Sequence, residues 1–144
     1  MGERLEIHIV SDSTGDTGAR VARAAQSQFD DTEIEMVRHA RVQTRDQLAR
    51  ALESASGRRA AVFYTLVDAG LREAVVELAR EHNLVVQDVL GPALNAVATA
   101  SGREATMVPG RTLDPCLDGW PPVCRPHLSR DHLRYVCCTF CRRQ

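Results

Sequence analysis

The sequence predicts an α/β fold: a mainly parallel sheet with helices on both faces, followed by an irregular C-terminal tail. Two patterns predict it. Over residues 5–102, short segments with apolar side chains at alternate positions take turns with longer segments whose apolar side chains recur at helical spacing, and such alternation is the mark of successive βαβ units. One strand segment, Ala60–Leu66, is apolar except for Tyr64 and Thr65, as expected of a strand covered on both faces.

Leu5–Val10 alternates, carries β-branched Ile7, Ile9 and Val10, and runs into Ser11-Asp12-Ser13-Thr14-Gly15, a cluster of turn and cap formers. A first helix follows from Asp16 to Phe29, with small or apolar residues at 18, 21, 22, 25 and 29. Thr32–Val37 alternates around Ile34 and Met36 and reads as the second strand. Thr44 with Gln47 three residues on forms a capping box, opening a helix that puts Leu48, Leu52 and Ala55 on one face and stops at Gly57. Ala60–Leu66 is the third strand, placed centrally. Asp68 is a natural N-cap for a third helix with an apolar stripe at 71, 74, 75, 78, 79 and 82. Leu84–Leu90 is a short fourth strand, and Gly91-Pro92 opens a helix that runs to Gly102.

At 144 residues, 44% apolar and 26% charged, the chain suits one ordinary folded domain. It has no apolar run of membrane-spanning length and no signal-peptide pattern, so the cytoplasm is the expected compartment. The net charge of −1 supplies no global field for nucleic acid or an anionic membrane. All 18 basic residues are arginine. Without lysine there is neither a Schiff base nor the phosphate-binding lysine of a P-loop within these residues.

In an open parallel sheet, ligands bind beyond the carboxyl ends of the strands, where helix N-termini direct N–H groups and partial positive charge into the crevice. Three segments belong there: Ser11–Thr17, Tyr64–Asp68 and Asp88–Pro92. Ser11, Ser13, Thr14 and Thr17 offer hydroxyls, and Gly15 allows close backbone approach to an anion such as a phosphate. The competing reading is that this segment is only a well-capped βα turn. Asp12 and Asp88 have the chemistry of general bases toward a hydroxyl, yet carboxylates in such loops also serve as caps. As single residues, Tyr64, His8 and His39 read as structural. Tyr64, Thr65, Asp68 and Gly91 enter the candidate phosphate- or substrate-binding set as members of the strand-end segments.

Four stretches resemble one known family. Ile9-Val10-Ser11-Asp12-Ser13-Thr14-Gly15-Asp16-Thr17 is similar to its opening VSDSTGET signature, Val62–Asp68 to its VFYTLVD strand end, and Asp88–Pro92 to its DLLGP segment. Pro109-Gly110-Arg111 with Leu113-Asp114 resembles the segment after these. The family comprises bacterial bifunctional serine/threonine kinase/phosphorylases that regulate pyruvate, phosphate dikinase or phosphoenolpyruvate synthase. The resemblance implies an enzyme that uses ADP to phosphorylate and inactivate a threonine of its target, and inorganic phosphate to remove the mark with release of pyrophosphate. It implies nucleotide (ADP or ATP) and phosphate as ligands, the dikinase or synthase as partner, and leaves a homodimer open. The family's P-loop lies further along than these residues, so the chain is expected to be a truncated member, inactive alone. The rival function is a non-catalytic module that binds a phosphorylated partner segment.

The resemblance covers residues 5–114, within the expected α/β domain 1–114. All five cysteines, the single Trp and four of the six prolines fall after Leu113. Residues 115–144 therefore read as an anomalous Cys-rich tail, for which a shifted reading frame, a disordered extension and a metal site are the alternatives. The metal reading rests on Cys124, His127, Cys138 and Cys141, whose spacing fits no common zinc finger well.

Overall fold

The computed structural model describes residues 4–111. Every element below lies in the compact unit Met1–Gly110. The readings made for the tail, including the set Cys124, His127, Cys138 and Cys141, fall outside the described residues.

The elements alternate without exception: β1 (Leu5–Ser11), α1 (Asp16–Gln26), β2 (Ile34–His39), α2 (Arg45–Ala55), β3 (Ala60–Thr65), α3 (Ala69–Glu81), β4 (Val85–Asp88) and α4 (Gly91–Ser101). The strands form one sheet in the order β2-β1-β3-β4, and all three pairings are parallel. The expected fold class is the observed one.

Alternation along β1 divides the core. Ile7 and Ile9 face α1 and cluster with Ala19 and Ala22. Val10, on the other face, joins Val62, Tyr64 and Leu66 against Leu48, Leu52 and Ala55 of α2 and Leu71, Val75 and Leu78 of α3. Both faces of β1 are thus covered, and His8, Ile9 and Val10 are at most 1% exposed. A one-residue slip of register would send these side chains to the wrong layers.

The boundaries show where tertiary packing overrides local pattern. The second strand begins at Ile34, not Thr32, because its ladder starts where Ile34 pairs with Leu5. Helix α1 ends at Gln26 and leaves Val21 and Phe29 exposed, although both sit on the expected stripe. Its buried face is instead the small-residue row Gly18, Ala19 and Ala22. The helix lies so close to β1 that a Cβ on Gly18 would stand 2.8 Å from Ile9 Cγ2, and at that approach bulk is excluded. Helix α4 is apolar in composition yet buries only Gly91 among the described residues.

The two caps read from sequence form as read. Thr44 Oγ1 accepts from Gln47 N–H at 3.2 Å while Gln47 Oε1 accepts from Thr44 N–H at 3.2 Å, and Asp68 Oδ1 accepts from Leu71 N–H at 2.8 Å. Each contributes about 1 kcal/mol.

Leu52 is fully buried between α2 and the sheet. Leu52→Ala is expected to lower unfolding free energy by about 2–5 kcal/mol through lost transfer energy and a residual cavity. Urea denaturation of the two proteins measures it, and a loss below 1 kcal/mol would place the core elsewhere.

Candidate functional site

Because every strand runs the same way, all four carboxyl ends lie on one edge of the sheet. Register places Ser11 beside Thr65, Tyr64 beside Asp88 and Val10 beside His39. The chain leaves β1 toward β2 and leaves β3 toward β4, so the two adjacent central strands send their crossovers in opposite directions. The topological switch point, the usual ligand position in doubly wound sheets, therefore falls between their loops.

The loop after β1 is held from three sides. Ser11 Oγ accepts from Ser13 N–H at 3.1 Å, and Asp12 Oδ2 accepts from Val67 N–H at 2.9 Å, a buried bond joining the β1 and β3 loops. The carbonyls of Ser11 and Ser13 accept from Val42 and Arg41 N–H, both at 2.9 Å, joining the β1 and β2 loops. Gly15 then takes the left-handed conformation, φ 80°, that few other residues tolerate. It opens α1 with no side-chain cap at that position. Thr14 Oγ1 donates to Asp16 Oδ2 at 2.8 Å, and Arg38 Nη1 donates to Asp16 Oδ1 at 2.9 Å and to the Thr14 carbonyl at 3.2 Å. The Thr14 hydroxyl first and Arg38 second hold the Asp16 carboxyl below its usual range. Thr14 and Thr17 are exposed and Ser13 is half-buried.

The fourth family-like stretch returns to this loop. A Cβ on Gly110, at φ 67°, would stand 2.5 Å from Ser13 Oγ, so the turn at Pro109-Gly110 packs on Ser13 and requires glycine there.

The two candidate bases sit differently. Asp88 is fully engaged: Oδ1 accepts from Gly91 N–H at 2.7 Å and Leu90 N–H at 3.1 Å, capping α4, and Oδ2 pairs with Arg72 Nη2 at 2.7 Å. Asp12, 7% exposed, accepts only the Val67 bond among the described residues. Tyr64 is buried beside this pair, and burial first, then the Asp88 charge, pushes its phenol above the usual range against the opposing pull of Arg72. Thr65 is buried at the end of β3, and Asp68 is committed to the α3 cap. Gly91 is needed for space, because a Cβ there would collide with both Arg72 and Asp88.

His8 and His39 lie on the α2 face of the sheet. His8 Nδ1 meets His39 Nε2 at 3.0 Å, its Nε2 meets Glu6 Oε2 at 2.9 Å, and Arg58 Nη1 donates to Glu6 Oε1 at 2.7 Å. Burial first and His8 second lower the His39 pKa. Hydrogen bonds from His8 and then Arg58 hold Glu6 low.

Reading three strand ends from sequence passed over the fourth. The β2 end brings Arg38, His39 and Arg41 to the same edge, and the strand-end rule applied to Thr32–Val37 would have reached them. Arg72 has no such signal, because its pairing with Asp88 exists only once β3, α3 and β4 are assembled. Among the described residues, no group of three or more His, Cys, Asp or Glu side chains is placed to hold a metal, and no helix is long and apolar enough to cross a membrane.

An all-parallel doubly wound layer with hydroxyl-rich and acidic strand ends defines the class, and comparison with known proteins gives the family. A match to the kinase/pyrophosphorylase family spans residues 7–116, and the chain belongs to that family. Relatives named as pyruvate, phosphate dikinase regulatory proteins include one from Cutibacterium acnes, 40% identical over 112 residues, covering 74% of this chain and 38% of the relative. Those of Trichlorobacter lovleyi and Acidiphilium cryptum are each 38% identical, covering 73% and 76% of this chain and 39% and 38% of the relatives. The chain thus spans about two fifths of the length of the curated relatives it matches.

Two outcomes follow from this geometry. Gly91→Ala is expected to break the Arg72–Asp88 pair and cost about 1–3 kcal/mol as a small-to-large change in a filled space; urea unfolding measures it, and an unchanged midpoint would show that the pair yields freely. For His39, depression in the fold means that the unfolded chain binds more protons below its own pKa of about 6.5. Stability is then full above that value and declines as pH falls toward the folded-state value. Melting temperature is expected to drop between pH 8 and pH 5, a window above the carboxylate range, and His39→Gln is expected to flatten the drop. An equal slope in both proteins would assign the titration to another group.

Proposed function

We propose that these residues form the acceptor-binding layer of a phosphotransferase that regulates pyruvate, phosphate dikinase, with the Ser11–Thr17 loop receiving the phosphoryl group carried to or from a target threonine. In this reading the complete reaction runs both ways: ADP supplies the phosphoryl group in one direction, and inorganic phosphate removes it as pyrophosphate in the other. The names of the relatives favour the dikinase over phosphoenolpyruvate synthase as target.

One observation carries the reading. Helices α2 and α3 begin under side-chain caps from their N-cap residues, whereas α1 begins at left-handed Gly15, and among the described residues only a long 3.4 Å bond from Asp16 N–H to Thr14 Oγ1 meets its first turn from a side chain. N–H groups and hydroxyls in that arrangement suit a phosphoryl oxygen. Asp12, with one oxygen bonded to Val67, is the better placed of the two carboxylates to accept the threonine proton. Asp88 acts through position, holding Arg72 and the start of α4, and Thr65, Asp68 and Tyr64 shape the adjoining wall. Phosphoryl transfer also demands charge neutralisation of the nucleotide phosphates. The lack of any lysine in 144 residues favours that work being done outside these residues, and so favours acceptor docking as what this chain does by itself.

Calorimetry on the 144-residue chain tests this. A phosphothreonine peptide from the dikinase is expected to bind, and Ser13→Ala to weaken it about tenfold, the value of one hydrogen bond to a charged group. ADP or ATP with magnesium is expected to give no tight binding. Low-micromolar nucleotide affinity would put a nucleotide site within these residues, and peptide binding indifferent to Ser13 would remove the loop from the site.

A further inference from the structure

An open cleft of about 350 Å³ lies at the carboxyl end of β2, lined by Arg38, His39, Arg41, Gln47 and Arg50 together with small apolar residues. None of its lining residues is acidic. Three arginines therefore border one concavity in a chain whose net charge is −1. Arg38 is partly neutralised by Asp16 at 2.9 Å. The side chains of Arg41 and Arg50 are exposed, and neither guanidinium has a hydrogen-bond or ion-pair partner among the described residues, unlike Arg4, Arg45, Arg58 and Arg72, each of which has a carboxylate partner. Gln47 spends its carbonyl oxygen on the Gln43 and Thr44 N–H groups, and its Nε2 has no partner among the described residues. The cleft wall is set by backbone: Arg41 stands at φ 57°, an uncommon conformation for a residue with a side chain, and is held there by its N–H bond to the Ser13 carbonyl.

We infer that this cleft is a second anion site, taking a small phosphate-bearing ligand with Arg41 and Arg50 as its principal contacts. Guanidinium forks match phosphate oxygens in pairs, and charge-assisted bonds of this kind are the strong ones. The volume lies in the range of small-ligand sites, and the absence of a wider positive field argues against nucleic acid. Free pyrophosphate carries more charge and more acceptor oxygens than a monophosphate and is expected to bind more tightly. The site differs from the Ser11–Thr17 loop in every contact group, although the two are neighbours on one edge.

The test titrates the full chain with inorganic phosphate, pyrophosphate and phosphothreonine peptide, following backbone amides by NMR and affinity by calorimetry. Pyrophosphate is expected to shift the amides of residues 40–42 and 47–51, and Arg41→Gln/Arg50→Gln to weaken its binding at least about tenfold. Arg45→Gln, an exposed arginine paired with Glu77 away from the cleft, is expected to leave it unchanged, as is Ser13→Ala. Circular dichroism verifies that the variants remain folded. Shifts confined to residues 14–18, equal loss in Arg45→Gln, or full affinity in the double variant would each overturn the inference. Pyrophosphate binding lost in the double variant and kept in Ser13→Ala supports the cleft even where the peptide fails to bind, which separates its fate from that of the acceptor loop. Peptide alone shifting the cleft amides, with no response to either free anion, would equally overturn it.

Discussion

Strand β1 constrains everything else. It is paired in parallel on both edges and covered on both faces, so its backbone polar groups are met by β2 and β3 and its side chains by α1 on one side and α2 and α3 on the other. Parallel neighbours require crossover connections, and their fixed hand sends the path from β1 to β2 over one face and the path from β2 to β3 over the other. The switch point between the β1 and β3 loops is a geometric result of that arrangement. It exists before any catalytic residue is considered.

The loops at that edge are cross-braced to a degree that turns are not usually. Asp12 ties the β1 loop to Val67, and two carbonyls of the same loop tie it to Arg41 and Val42. Buried hydrogen bonds of this kind are costly to leave unmade, so the position of Ser13 and Gly15 is set by three strands and not by the turn alone. Preorganisation of that sort is what a phosphoryl site needs, since positioning and charge account for most of the catalysis. The same bracing holds Arg41 at the neighbouring cleft.

Two aspartates at equivalent strand ends have come to different work. Asp88 is consumed by two amides and a guanidinium, with glycine at 91 to make room. Asp12 makes a single bond to its neighbour loop. The chemistry of a carboxylate is the same in both places, and the difference lies in which donors surround it.

Local pattern was enough for much of this. The alternation of elements, the Thr44–Gln47 capping box, the Asp68 cap and the burial of β3 are decided within a few residues, where propensity and spacing act. The family-like stretches were also legible, because Ser11–Thr17, Val62–Asp68 and Asp88–Pro92 are contiguous. What the sequence by itself could not decide depends on pairs distant along the chain. The start of β2 is set by Leu5, the small-residue face of α1 by its closeness to Ile9, the partner of Asp88 by Arg72 on another element, and the packing of Gly110 on Ser13 by a return across nearly the whole domain. Such contacts are selected by packing distance and hydrogen-bond geometry, which arise only when the layers meet, and so the tertiary structure alone fixed them.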